Sequence, residues 1–154
     1  MNGPPRRLTN TRGVSEGSPS WSPDGQRIVY VSDASGTPQL YVISKNGGQP
    51  SRLTLRGSHN ASPDWGANGL IAYQSQQGRG FQIAVIDPNT RQERIVTKFD
   101  ASYEDPSWAP DGRHIAAGRV VNYRSDIYLL DTEGDAPVAL TADGTWSSPA
   151  WTRP

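Results

Sequence analysis

The sequence predicts an all-β fold of four-stranded antiparallel blades, and three observations carry that prediction. Trp21, Trp65, Trp108 and Trp151 recur at spacings of 44, 43 and 43 residues, and Pro19, Pro63, Pro106 and Pro149 stand two residues before them. A turn follows two of these tryptophans, Ser22-Pro23-Asp24-Gly25 and Ala109-Pro110-Asp111-Gly112, and a degraded form, Gly66-Ala67-Asn68-Gly69, follows a third. Leu8-Thr9, Leu53-Thr54, Val96-Thr97 and Leu140-Thr141 close successive units. Unrelated markers in one register define a repeat of about 43 residues, the length of one blade in a radial β array.

Each element of the unit follows from its composition. The segment ending in Pro-x-Trp is the first strand. Pro-Asp-Gly then makes a turn, because proline presets φ and glycine accepts a positive one. The second strands read Arg27-Ile28-Val29-Tyr30-Val31, Leu70-Ile71-Ala72-Tyr73 and His114-Ile115-Ala116-Ala117. They are apolar on both faces, as in sheets stacked between neighbours. Polar loops such as Ser32-Asp33-Ala34-Ser35-Gly36 lead to third strands: Gln39–Ile43, Gln82–Ile86 and Asp126–Leu130. Hairpin loops follow at Lys45–Gly48, Asp87–Thr90 and Asp131–Gly134. The Leu-Thr strand ends each unit. No segment carries enough helical periodicity to predict a helix.

The predicted organisation is three whole blades, at about 18–58, 61–101 and 105–145, with a lone strand at each end, 6–9 and 148–151. A blade cannot cover both its faces alone, so such blades close into rings, usually of four to eight. Three blades with two spare strands predict an incomplete ring: either a piece of a longer polypeptide or an arc completed by another copy as a homo-dimer.

Composition narrows the function. Fifteen Lys and Arg balance 15 Asp and Glu, which argues against a nucleic-acid partner or an anionic membrane surface. Hydrophobic residues make up only 34%, but five Trp and six Tyr argue against disorder. No apolar run approaches the roughly 18 residues of a membrane span, so no membrane insertion is expected. The absence of cysteine excludes disulfides and thiolate metal sites. Met1–Arg7 lack the apolar core of a signal peptide, which leaves a mature or engineered segment, or a cytoplasmic chain.

No catalytic constellation stands out: there is no G-x-S-x-G elbow, and the two histidines occupy different contexts. Asp24, Asn68 and Asp111 read as turn-formers, one per turn, and offer no metal site. No cofactor is expected. His114 reads as a blade-edge residue, standing where Arg27 stands in the first repeat. Asn60-Ala61-Ser62 matches a glycosylation sequon but reads as idle. The loops entering the first strands are more informative. First strands line the axis of such an array, so these loops converge at one mouth of a central channel. Polar side chains that converge on a rigid scaffold are the usual form of a binding site. The candidate partner-binding residues are Glu16, His59, Asn60, Glu104, Asp105 and Trp146. Read one at a time, each is also an ordinary solvated or packed loop residue.

The stretches Ser18-Pro19-Ser20-Trp21-Ser22-Pro23-Asp24-Gly25, Tyr30-Val31-Ser32-Asp33 and Gln39-Leu40-Tyr41-Val42 resemble the TolB-type, WD40-like β-propeller repeat. Gly47-Gly48-Gln49-Pro50-Ser51-Arg52-Leu53-Thr54, Gly57-Ser58 and Ser148-Pro149-Ala150-Trp151 are most similar to the C-terminal half of the TolB family's propeller. The resemblance covers Arg7 to Trp151. It implies a non-enzymatic, periplasmic component of the Tol-Pal envelope system that binds the peptidoglycan-associated lipoprotein, Pal, on this propeller face. The family's N-terminal α/β domain, the seat of TolA binding, has no counterpart in these residues, and about half the blades are represented. The same repeat also occurs in accessory propellers of serine peptidases, which continue into an α/β-hydrolase domain, and in ligand- or metal-binding propellers. An ion or ligand held on the axis by several blades would mark the last class.

Overall fold

A computed structural model describes residues 3–152. Among them there is no helix, and the strands form three four-stranded antiparallel sheets. The first contains β1 (Glu16–Trp21), β2 (Arg27–Ser32), β3 (Gln39–Ser44) and β4 (Ser51–Arg52). The second contains β5 (Asn60–Trp65), β6 (Ile71–Gln77), β7 (Gly80–Ile86) and β8 (Glu93–Ile95). The third contains β9 (Ser102–Trp108), β10 (His114–Val121), β11 (Arg124–Asp131) and β12 (Val138–Ala139). Strands run in sequence order across each sheet, and β5 packs against both β1 and β9. First strands are therefore innermost, as the sequence predicts.

The two end strands are predicted without a sheet partner, and among the described residues they join no sheet. Neither Arg6–Thr9 nor Ser148–Trp151 forms a strand. A strand is defined by its ladder, and neither segment has a sheet of its own to pair with. Both nevertheless sit where the repeat would put them. Leu8 packs on Ile28, Tyr30 and Ile43, and the Trp151 amide donates to Ser107 Oγ at 3.3 Å.

Two seams hold the blades together. Between the first and second, Val29, Leu40 and Leu53 pack against Trp65, Ile71, Tyr73 and Ile86. Between the second and third, Ala72, Ile83 and Val85 pack against Tyr103, Trp108, Ile115 and Leu130. Both faces of the middle blade are covered, which is why β7 ends in an unbroken buried run, Gln82–Ile86. The degraded turn also serves a seam. Asn68 Oδ1 accepts from the Leu70 amide, and its Nδ2 crosses to Gly112 O at 2.7 Å. A Cβ at Gly66 would come within 2.8 Å of the Trp108 ring, so glycine there lets the next blade approach.

Each first strand carries the same irregularity. The residue before the proline has a left-handed backbone: φ is 51° at Ser18, 49° at Ser62 and 51° at Asp105. Pairing with the second strand slips at these points, so each is a β-bulge. The proline removes a ladder donor, which an innermost strand with one free edge tolerates. Ser148 repeats the conformation, with φ 51°.

Carboxylates tie down the outer turns. Arg113 donates to Asp131 through Nε at 3.0 Å and Nη2 at 2.6 Å. That hydrogen bonding, with the Glu133 amide, holds the Asp131 carboxyl well below the usual range. The Asp111 carboxyl is lowered to about 2, first by the His114 amide, then by the His114 ring and the Arg113 amide. A carboxylate with a depressed folded pKa stabilises the fold above its unfolded pKa of about 3.9, and that contribution is lost as pH falls through the folded value. The melting temperature should therefore hold between about pH 7 and 5 and drop below about pH 4. Asp131→Asn should melt lower at neutral pH and show a shallower acid limb. Equal acid slopes for both proteins, read by thermal circular dichroism, would remove Asp131 from the account.

Candidate partner-binding mouth

Four segments enter the innermost layer at one end of the molecule, and the bulges decide where their side chains go. Asp105 is the hub. Its carboxylate accepts from Ser62 Oγ at 2.9 Å and from Ser148 Oγ at 2.7 Å. Its backbone amide donates to Gln74 Oε1 at 2.9 Å. These two hydroxyls come from the equivalent pre-proline position of the units on either side. A polar string, Ser62–Asp105–Ser148, thus crosses three neighbouring first-strand segments. A carboxylate on this string can accept from backbone amides, or from the ammonium or guanidinium groups of a bound protein.

The other predicted residues scatter around this hub. Glu104 flanks Asp105 and accepts from Ser102 Oγ at 3.1 Å. Trp146 is exposed, and its amide donates to Ser125 O at 2.9 Å. His59 stands edge-on to the Phe81 ring, with centroids 5.3 Å apart. Glu16 is exposed but turns toward its own N-terminal segment, accepting from Thr9 and Thr11. Asn60 has a different place from the one expected. It is fully buried, and its Nδ2 donates to Gln39 Oε1 and Arg56 O, both at 2.8 Å. It fixes the entry of the second blade against the first and presents nothing to a partner.

Asn60 is aligned in the repeat with Glu16, Tyr103 and Trp146, each five residues before its tryptophan. Tyr103 is buried, and sequence reasoning missed it. Its hydroxyl donates to Asp100 Oδ1 at 3.0 Å and accepts from Arg119 Nε at 3.2 Å. Arg119 also donates to Asp100 Oδ2 at 3.0 Å and lies over the rings of Tyr103 and Tyr128. Burial raises the Asp100 pKa, but the Arg119 and Tyr103 hydrogen bonds outweigh it, and the carboxyl ends below its ordinary value. Ser62, Gln74 and Ser148 were missed as well. The signal that finds the two serines is the repeat position before proline.

The described residues hold no cluster of three or more His, Cys, Asp or Glu that could bind a metal ion. No helix among them is long and apolar enough to cross a membrane.

The family model of the TolB beta propeller domain matches residues 1–154. The chain belongs to that family. It is 36% identical over 136 residues to the Tol-Pal system protein TolB of Desulfosudis oleivorans, covering 88% of this chain and 29% of that protein. The crystal structure of TolB from Acinetobacter baumannii superimposes with a TM-score of 0.79 at 30% identity, over 95% of this chain and 37% of that one. The chain thus spans well under half the length of either TolB. A puromycin-hydrolyzing peptidase of Mycobacterium tuberculosis superimposes with a TM-score of 0.73 at 17% identity, over 92% of this chain and 23% of that one. That last likeness shows the shared propeller fold alone.

Proposed function

We propose that this TolB-type arc is a non-enzymatic protein-binding scaffold of the cell envelope, and that its mouth contacts a Pal-like lipoprotein in the periplasm. One observation carries the placement: Asp105, on a strained bulge, is held by hydroxyls of both neighbouring units and faces the innermost layer. Supporting the reading are the Desulfosudis oleivorans relative, whose name places it in the Tol-Pal system, the half-exposed Glu104 next to Asp105, and the exposed Trp146 two residues before Ser148. A carboxylate pair would steer a cationic patch of the partner and accept its hydrogen bonds.

The test is affinity for the soluble domain of a peptidoglycan-associated lipoprotein, measured by calorimetry. Glu104→Lys combined with Asp105→Asn keeps the left-handed backbone accessible, since asparagine adopts it readily. This variant should bind about tenfold more weakly, on the order of 1.4 kcal/mol. Unchanged affinity in a variant with native circular dichroism would reject the mouth as the contact.

A further inference from the structure

Fifteen cations balance 15 anions over the whole chain, but the balance is not kept locally. The seam between the first and second blades opens into three hollows that share lining residues. One, of about 470 Å³, is lined by Leu53, Leu55 and Arg56 of the first blade and by Arg91 and Glu93 of the second. The next shares Leu53 and Arg91 with it and adds Arg27. The third shares Arg56 and Glu93 and adds Arg94. Together they make one groove with four arginines on its walls against one carboxylate. Both walls are complete four-stranded sheets, so neither end of the chain shapes the groove.

The repeat does not ask for these residues. In register with the strands and the threonine markers, Arg27 corresponds to Leu70 and His114, Arg56 to Phe99 and Asp143, and Arg91 to Gly48 and Asp135. Leu55, more than half exposed, corresponds to Lys98 and Ala142. On the third blade the equivalent outer turn is acidic, with Asp131, Glu133 and Asp135 around Arg113. The basic, leucine-bearing groove therefore belongs to this seam and not to the blade as a unit. The fold does not use most of its charge either. Among the described residues the guanidinium groups of Arg91 and Arg94 have no hydrogen bond or ion pair. The Arg56 side chain is 88% exposed and comes only within 3.8 Å of Glu93, which already accepts from the Tyr73 hydroxyl at 3.0 Å. Arg27 is engaged, over the Trp65 ring and 3.5 Å from Asn89 Oδ1. The backbone under these side chains is pinned. Asn60 Nδ2 holds Arg56 O, Gln39 Nε2 holds Gly57 O at 3.1 Å, and the Arg91 amide donates to Asp87 O at 2.8 Å.

We infer that this groove docks an extended acidic segment of a partner protein, with carboxylates on Arg56 and Arg91 and an apolar side chain against Leu55. The planar guanidinium fork matches a carboxylate with two parallel hydrogen bonds. Cations on a pinned backbone lose little freedom when they are engaged. The groove also offers more than charge. β8 is the last strand of its sheet, so the outer edge of Glu93–Ile95 is free to pair with an extended backbone. A phosphate group would use the guanidinium groups alone and leave Leu55 and the strand edge unmatched, which favours a polypeptide. The mouth offers carboxylates and this groove offers cations, so the two surfaces select opposite chemistry, and the inference does not rest on the mouth or its partner.

The experiment is fluorescence anisotropy on the full chain with a labelled octapeptide, Glu-Leu-Glu-Ser-Glu-Leu-Glu-Ser, and its counterpart with glutamine for glutamate. At low salt the parent should bind the acidic peptide about tenfold more tightly than the glutamine one, and salt at 150 mM should narrow that gap. Arg56→Gln and Arg91→Gln each remove one solvent-exposed ion pair and should weaken binding about two- to fivefold, and together about tenfold. Leu55→Ser should weaken it at either salt. Arg79→Gln, which removes an exposed cation outside the three hollows, should leave it unchanged. Equal binding of the two peptides, an Arg79→Gln loss as large as that of Arg56→Gln, or a Leu55→Ser variant that binds like the parent would each overturn it. So would displacement of the peptide by inorganic phosphate at constant ionic strength, which would make the occupant a phosphate group. Native circular dichroism and an unchanged melt, expected for exposed side chains, check that each variant is folded.

Discussion

Replacing Trp65 by alanine should lower the unfolding free energy by about 3–5 kcal/mol, the range for deleting a buried tryptophan. Trp65 is where the first two blades become one cooperative unit. Its ring is buried with Val29, Leu40 and Leu53 of the first blade and Tyr73 and Ile86 of its own. Its amide donates to Ser20 Oγ at 3.0 Å, and its indole N–H donates to Gly69 O at 3.1 Å. Arg27 of the first blade lies 5.0 Å from the ring centre. Truncation opens a cavity at the seam, and flat stacked sheets have little freedom to collapse into it. In arrays of repeats, stability is a sum of unit and neighbour terms, so weakening a seam also weakens cooperativity. Urea unfolding followed by circular dichroism should show a lower midpoint and a broader transition. Trp21→Ala should cost under about 1 kcal/mol, as for a surface position. Equal losses at the two positions would show that the seam does not organise stability.

Most of the fold was legible in the sequence because the seam chemistry repeats. Trp-with-Pro and the Pro-Asp-Gly turn are local signals, and they place strands and hairpins without tertiary information. Legibility failed where a residue's role depends on its neighbour in space. Asn60 stands in a polar loop and reads as exposed; Gln39 of the previous blade reaches over and buries it. In the sequence Asp105 is one polar residue of a loop that enters a first strand at the mouth. What sets it apart is the pair of serines that grip its carboxylate, which only the aligned pre-proline position betrays.

The Leu-Thr and Val-Thr markers show the same divide, and they carry the second large effect. Sequence shows only that threonine recurs; the structure shows why. Thr97 Oγ1 accepts from the Ile83 amide at 3.1 Å and donates to Gln82 Oε1 at 2.7 Å, deep in the second blade. Gln82 in turn accepts from the Phe99 amide at 3.1 Å and donates to Ala101 O at 2.8 Å, which pins the loop running toward the mouth. Thr54 with Gln39, and Thr141 with Asp126, repeat the knot in the other blades. Serine would keep the hydroxyl but lose the methyl group; valine keeps the shape and loses the hydroxyl. Thr97→Val leaves the buried Ile83 amide without an acceptor, and an unpaired buried donor costs about 1–3 kcal/mol. It also frees Gln82, so the loop at 98–101 should loosen before the sheet does. Hydrogen exchange should therefore speed up first at Phe99 and Ala101, with the urea midpoint falling by the corresponding amount. Thr97→Ser should recover most of the loss, because the hydrogen bonds return. If valine and serine destabilise equally, packing of the methyl group decides stability at Thr97, and the hydrogen-bonded knot is not what fixes threonine at the end of every blade.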